Sequence, residues 1–331
     1  MAPVRYTSLH SMLIRSLPAI PANDAEFQKW FQERWGQENC IIWGRTCHAD
    51  FGPLAHTLSI RAAWRGAERI HINGRTVAID DDNFLILNHG RVYATSIRAA
   101  CPVESLAICF RPGLAGQIQA DISAPMEGVL HNGDSAPHSG ELFLESLHPH
   151  DRSVSSVLRF IRAHLKSGLV DEAWYEEQLI FLLARMHSHR EHVLNRIDRL
   201  ALVRPAKRRE VYRRIALATD FLHTQYTQDV DLGTLAKIAY LSKYHFLRLF
   251  SLVHGITPHA YLQRKRTTVA VRLLESTRLT VNEVAARVGF AEKSTLQRQL
   301  RRWIKLTPYQ IRARAGKGRR FDEPSAQFEF A

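Results

Sequence analysis

The sequence predicts an α+β protein of two domains: an N-terminal β-barrel with flanking helices, and an all-α C-terminal domain that carries a helix-turn-helix unit twice. Three observations predict it: a pattern of about 50 residues repeats in the last third, hydrophobic periodicity switches from strand-like to helix-like along the chain, and the net positive charge is concentrated in and around the repeat. The 331 residues suit two domains, and 45% hydrophobic content supplies two cores.

The repeat comes first because it is the most specific. Leu232, Leu235, Ala236 and Ala239 recur 49 residues later as Val281, Val284, Ala285 and Val288, while Phe246, Arg248, Phe250, Thr257 and Pro258 match Leu296, Arg298, Leu300, Thr307 and Pro308 50 residues later. The one-residue difference falls in the turn, as two helix-turn-helix copies with unequal turns require. Asp231 is placed to cap the first short helix, and Phe246, Leu249, Phe250 and Val253 form the inner face of the second, leaving Lys243, Tyr244, Leu247, Arg248 and Ser251 outward. Gly255 provides a left-handed stop, and Thr257-Pro258 caps and opens a connecting helix of roughly 259–274, near 24 Å long at about 1.5 Å per residue. In the second copy Thr280 and Glu283 form a capping box, Gly289 takes the turn, and Leu296, Leu300 and Trp303 face inward, leaving Lys293, Gln297, Arg298 and Arg301 outward.

These motifs, with F-x-R-x-F at 246–250, G-I-T-P at 255–258, V-G-F at 288–290 and T-P-Y-Q-I-R at 307–312, resemble the AraC/XylS family of bacterial transcription regulators over about 100 residues. Lys305 stands where that family usually has a helix-ending Gly, and Leu296 and Leu300 where aromatics are common. The resemblance implies double-stranded DNA as partner, a dimer, and RNA polymerase as a further partner. It also implies that the N-terminal segment resembles a cupin-type barrel that binds an effector or mediates dimerisation.

Charge agrees. Residues 204–320 hold 25 Lys+Arg against 7 Asp+Glu, a balance of +18, whereas the rest of the chain carries −5 of the formal +13. A basic module on a mildly acidic body suits polyanion binding. The expected base readers are Tyr244, His245 and Arg248 in the first unit and Lys293, Ser294, Gln297 and Arg298 in the second. Guanidinium forks match guanine O6 and N7, and the Gln amide matches adenine N6 and N7. Lys243, Arg264, Arg301 and Arg302 are expected at phosphates, with Ser242 and Thr257 as helix N-terminal caps.

Upstream, Asn23 to Trp35 has helical spacing, with Phe27, Trp30, Phe31 and Trp35 as an aromatic core stripe. Short strands are then expected at 40–43, 58–64, 69–72, 76–79, 84–87, 93–97 and 105–110, with Asn73-Gly74 as a type I′ hairpin turn. Seven such strands suggest a small barrel or sandwich. Residues 121–140 read as a loop. Two helices follow within about 152–190, on the stripes Val154, Val157, Leu158, Ile161, Leu165 and Trp174, Leu179, Leu182, Leu183, Met186; they either pair two subunits or pack on the barrel. The sensor-side domain is thus expected over 1–203, joined by the basic linker Arg204 to Arg209 to a DNA-binding domain over 204–315, with a tail at 316–331.

No residue identifies an effector. Trp64, Tyr93 and Arg111 are either pocket lining or ordinary core and rim. The expected strands offer only His71 as an isolated metal-ligand candidate, and His148-Pro149-His150 reads as a loop, so neither a metal nor another cofactor is expected, nor catalysis. Asp80-Asp81-Asp82 reads as an exposed turn and Cys47-His48 as an idle thiol. The four cysteines lack zinc-ribbon spacing and are expected reduced; with no signal-like or membrane-spanning apolar run, the expected location is cytoplasmic. Two other readings stand beside the regulator: a low-specificity nucleoid-type DNA binder, and a metal-dependent cupin enzyme with a DNA-binding appendage.

Overall fold

A computed structural model describes residues 11–14, 38–123, 143–168, 171–200 and 204–316. The chain divides into two compact units, Met1–Arg196 and Ile197–Ala331. The expected helix at 23–35 with Phe27, Trp30, Phe31 and Trp35 lies outside the described residues, as do 124–142 and 317–331.

The first unit is a nearly closed, largely antiparallel barrel. Its strands are β1 (Ser11–Ile14), β2 (Asn39–His56), β3 (Ser59–Trp64), β4 (Glu68–Ile72), β5 (Arg75–Ile79), β6 (Asn83–Leu87), β7 (Arg91–Cys109) and β8 (Leu147–Pro149). The sheet runs β1-β2-β7-β3-β6-β8, with β4 bridging β5 and β7. The strands expected at 93–97 and 105–110 are two halves of β7. One half pairs with β4 (Ile70 opposite Thr95) and the other with β3 (Ala62 opposite Leu106), so this strand turns the corner of the barrel. Pro102 sits where the β2–β7 register skips between Thr46/Val103 and His48/Arg98, the one kind of place where a strand tolerates a residue without an N–H. The gap between the two expected strands is therefore an irregularity within one strand. Asn73 (φ 49°) and Gly74 (φ 71°) make the expected hairpin turn.

Three expectations are corrected. Residues 121–123 belong to a helix, α1 (Leu114–Ser123), anchored by buried Leu114, Ala115 and Ile118. His148-Pro149-His150 is not a loop, because Leu147–Pro149 pairs with Leu85–Asn83. The supposed linker Arg204 to Arg209 is mostly helix, Pro205 opening α4 (Pro205–Thr224).

Because side chains alternate across a strand, β3 feeds two cores. Ile60, Ala62 and Trp64 join a core completed by α1, α2 (Val154–Ser167) and α3 (Glu172–Asp198), through Leu158, Ile161, Leu165, Leu179, Leu182 and Met186. The apolar stripes of α2 and α3 therefore pack on the barrel. Trp64 and Tyr93 are core residues, and Arg111 lies at the rim, donating to Gln117 Oε1 at 2.9 Å. Glu104 of β7 fixes α2: its buried carboxylate accepts from Arg162 Nε (2.8 Å), Arg162 Nη2 (2.6 Å), Lys166 Nζ (3.0 Å) and Trp43 Nε1 (3.1 Å). Burial alone would raise its pKa, but the hydrogen bonds from Arg162, Trp43 and Lys166 win and hold it at about 2.

The opposite face of β3 points into a polar cluster. Arg61 pairs with Glu68 and donates from Nε to Tyr93 Oη at 3.3 Å, while Glu68 also accepts from Thr95 Oγ1 (2.6 Å) and Ser105 Oγ (2.7 Å). Donors from three side chains give this buried carboxylate the satisfaction such a charge needs inside a barrel. His56 stacks on Tyr93 with ring centroids 4.1 Å apart.

A histidine chain closes the far end. Asp151 Oδ2 lies 3.0 Å from His189 Nδ1, His189 Nε2 lies 3.0 Å from His148 Nδ1, and His148 Nε2 lies 3.0 Å from the Leu144 carbonyl. Burial, helped by neighbouring His189, lowers the His148 pKa to about 3; burial lowers His150 to about 4 and, with Arg61 beside it, His56 to about 3.

Lowered pKa values keep His56, His148 and His150 neutral in the fold near pH 6, whereas in the unfolded chain they titrate near 6.5, so the unfolded chain binds more protons below pH 6.5. Their contribution is complete above about 6.5 and declines as pH falls, by about 1.4 kcal/mol per pH unit for each group. Thermal unfolding of the first unit should therefore shift to lower temperature between pH 7 and pH 5, above the range where Glu104 and Asp151 protonate. An unchanged Tm over that interval would show that these histidines are not neutral in the fold.

Candidate nucleic-acid interface

The second unit consists of α4, α5 (Leu232–Ile238), α6 (Lys243–His254), α7 (Pro258–Ser276), α8 (Val281–Arg287), α9 (Lys293–Trp303) and α10 (Pro308–Gly316). The caps explain the helix starts. Asp231 accepts from Gly233 N (2.7 Å) and Thr234 N (3.1 Å), Ser242 from His245 N (3.3 Å) and Thr257 from Ala260 N (3.3 Å), while Thr280 and Glu283 complete a capping box. α6 stops at Gly255 (φ 69°). Lys305 adopts the same left-handed conformation (φ 62°) and donates its N–H to the Leu300 carbonyl at 3.0 Å, so α9 ends without the expected glycine. The connector α7 begins at Pro258 and ends at Ser276, slightly longer than the expected 259–274.

Burial separates the two faces of each recognition helix. Phe246, Phe250 and Val253 of α6 and Leu296 and Leu300 of α9 are buried, with Trp303 half-buried. Lys243, Tyr244, His245, Leu247 and Arg248 are exposed on α6, and Lys293, Ser294, Gln297, Arg298, Arg301 and Arg302 on α9. Some are engaged within the fold. His245 Nδ1 lies 3.0 Å from Ser242 Oγ, Ser294 Oγ donates to Glu292 Oε2 at 2.7 Å, and Arg298 Nη2 donates to Thr295 Oγ1 at 3.4 Å. Arg264 is half-buried with its guanidinium 5.6 Å from the Trp303 ring centroid, and Arg302 is 5.0 Å from the same ring. Arg264 is thus turned further into the fold than Lys243, Arg301 or Arg302.

The residue pattern did not single out Tyr240 and Tyr309, exposed by 75% and 81%. The available signal was register: Tyr240 stands where the second copy has Gly289. Both take positive φ, 52° and 87°, but their surroundings differ. Tyr240 projects into solvent, whereas a Cβ at Gly289 would lie 2.5 Å from the Thr227 carbonyl oxygen.

In the first unit, His71 hydrogen-bonds Thr76 and Ser96, Asp80 caps its own turn through Asp82 N, Asp81 accepts from Arg65 N, and Cys47 is an exposed free thiol. Among the described residues no group of three or more His, Cys, Asp or Glu side chains is arranged to hold a metal ion. No described helix is long and apolar enough to cross a membrane.

Two equivalent helices, α6 capped by Ser242 and α9 without a side-chain cap, expose basic, amide and aromatic side chains from a repeated scaffold and define a DNA-binding helix-turn-helix protein. Residues 235–314 match a family model described as a helix-turn-helix domain. The chain is 24% identical over 214 residues to the probable transcriptional regulator LumQ of Photobacterium leiognathi, covering 62% of this chain and 82% of that protein. It is 42% identical over 81 residues to the HTH-type transcriptional regulator Rv1931c of Mycobacterium tuberculosis, covering 24% of this chain and 31% of that one, so the second match spans under a third of its relative. Similar solved structures include the DNA-binding domain of AdpA in complex with a target DNA (33% identity, 31% of this chain, 96% of that chain, TM-score 0.30) and a variant of apo ToxT from Vibrio cholerae (9%, 83%, 97%, TM-score 0.32). Residues 235–314 of the second unit thus form a helix-turn-helix domain, and the chain is similar to transcriptional regulators.

The unequal turns make a stability prediction. Gly289→Ala should destabilise the second unit by about 1 to 3 kcal/mol, since it adds both left-handed strain and a backbone collision. Tyr240→Gly should leave Tm unchanged or raise it. Denaturant melts of the two variants should therefore move in opposite directions or differ clearly in size; equal effects would refute the assignment of strain.

Proposed function

We propose that the protein is a sequence-specific regulator that inserts α6 and α9 into two successive major grooves, under the control of a small-molecule effector acting through the barrel. The observation that carries this reading is the pairing of two equivalent recognition helices, each buried on one face and polar or cationic on the other, across a single 19-residue connector. At about 1.5 Å per residue that connector is about 28 Å long, comparable with the roughly 34 Å turn of B-DNA.

In this reading Arg248 and Arg298 present guanidinium forks to guanine, Gln297 its amide to adenine, and Tyr244, His245, Lys293 and Ser294 complete the base-facing sets. Leu247, exposed between Tyr244 and Arg248, offers apolar contact to a thymine methyl. Lys243, Arg301 and Arg302 anchor phosphates, and Arg264 steadies Trp303 as it does so. The operating form is a homodimer that contacts RNA polymerase. Exposed Phe160 and Phe181, on α2 and α3, support a self-association surface outside the DNA-binding unit. The working location is the cytoplasm, and no step of this function is catalytic.

The test is selection of host DNA fragments by the full chain at near-physiological salt. Enrichment of two sequence blocks about one helical turn apart is expected. Diffuse retention with a steep salt dependence would instead identify a low-specificity binder. On the selected site, Arg248→Ala should cost about 1 to 3 kcal/mol and relax preference at one base position. Unchanged affinity and unchanged base preference would remove Arg248 from the reading set.

A further inference from the structure

The segment that links α4 to α5 belongs to the first helix-turn-helix copy by sequence, yet it is held by residues of the connector and of the second copy. Arg266 of α7 is buried, and its guanidinium donates from Nε to the Tyr226 carbonyl at 2.6 Å and from Nη2 to the Gln228 carbonyl at 2.7 Å. The same guanidinium lies 5.8 Å from the ring centroid of Phe290, in the turn of the second copy. Between the two accepting residues, the Thr227 carbonyl approaches Gly289 so closely that no other side chain fits there. Tyr226 packs against the hydrophobic clusters of both helix-turn-helix copies, and Lys265 Nζ lies 5.6 Å from its ring centroid.

We infer that Arg266 is a positioning residue for DNA recognition: by clamping 226–228 against the second turn it fixes the relation of α6 to α9, and thereby the spacing of base-pair blocks that the domain accepts. The connector itself packs Leu262 into one cluster and Ala270, Val271 and Leu274 into the other, all close to its own axis. The clamp adds contacts at a second place, off the connector's axis, and two separated attachments resist rotation about that axis. The forked geometry matters. Two carbonyls are satisfied by one planar group, whereas a lysine ammonium on a flexible stem cannot reproduce both bonds in the same arrangement.

This inference rests on the two-groove reading above, and the experiment separates the two. The full-length protein first selects its site, and the space between the two blocks is then changed by one base pair in either direction. Each such change moves one block by about 3.4 Å along the axis and about 34° around it. For the unaltered protein a loss of about tenfold or more is expected, because a clamped pair of helices cannot follow. For Arg266→Lys the penalty should fall to about threefold or less, with a weaker grip on the preferred spacing but unchanged base preference within each block. Arg266→Met should behave the same way, and circular dichroism shows which variant retains the helical fold.

Tolerance of the altered spacing by the unaltered protein, or retention of the full penalty in the folded variants, overturns the inference while leaving two-groove reading intact. A full chain that selects no two-block site overturns both. A merely structural role for Arg266 would lower affinity equally at every spacing, so the change in spacing penalty is the decisive readout.

Discussion

Two backbone carbonyls, those of Tyr226 and Gln228, decide how the DNA-binding unit holds together. They lie in a connection between helices, where no regular ladder supplies donors, and a carbonyl turned inward without a donor is costly. Arg266 meets both, so the connector helix has to carry a charged residue on a face that packs inward. The remainder follows from that placement: Thr227 is pressed toward the second turn, the second turn must be glycine, and the two apolar clusters meet at Tyr226. What looks in sequence like two independent modules is one body with a shared seam.

The first unit handles buried charge by two different means. Glu104 stays ionised because cations from α2 come to it, which makes the carboxylate the attachment point of a helix. Glu68 is matched from within the sheet by Arg61, Thr95 and Ser105, so no helix is needed to satisfy it. Neither pair is a strong source of net stability compared with apolar packing of the same volume. Their consequence is registry. A one-residue slip of β7 would carry Glu104 to the opposite face and leave Arg162 and Lys166 without their partner.

Much of the C-terminal architecture was legible because its signals are local. Caps at Asp231, Ser242, Thr257 and Thr280, and stops such as Gly255, act over three or four residues, and the repeat states some of them twice, as Asp231 with Thr280 and Thr257 with Thr307. The barrel was legible only as a class. Tyr93 to Ile97 and Ser105 to Phe110 look like separate strands because Cys101-Pro102 interrupts the pattern; continuity depends on a register skip with β2, some fifty residues away in sequence. The strand at His148 was missed because three residues with a proline carry too little pattern, and its pairing with β6 is long-range. In the recognition helices the sequence identifies the outward residues but not their engagements, so the tie from Ser294 to Glu292 and the inward turn of Arg264 appear only in three dimensions. Arg266 carries no signal in the residue pattern because its acceptors are main-chain atoms, which leave no trace in side-chain chemistry.

The long reach of β7 also bears on the order in which the chain acquires structure. Cys40 of β2 meets Cys109 of β7, and β6 waits for its neighbour β8 until Leu147 has been made; α2 and α3, which cover the sheet, come later still. Pairings so distant along the chain close slowly. The C-terminal unit, assembled from helices and turns that mostly contact near neighbours, carries no such delay. During synthesis the barrel therefore stands with an open edge through much of its own translation, whereas the recognition helices can form almost as soon as they emerge.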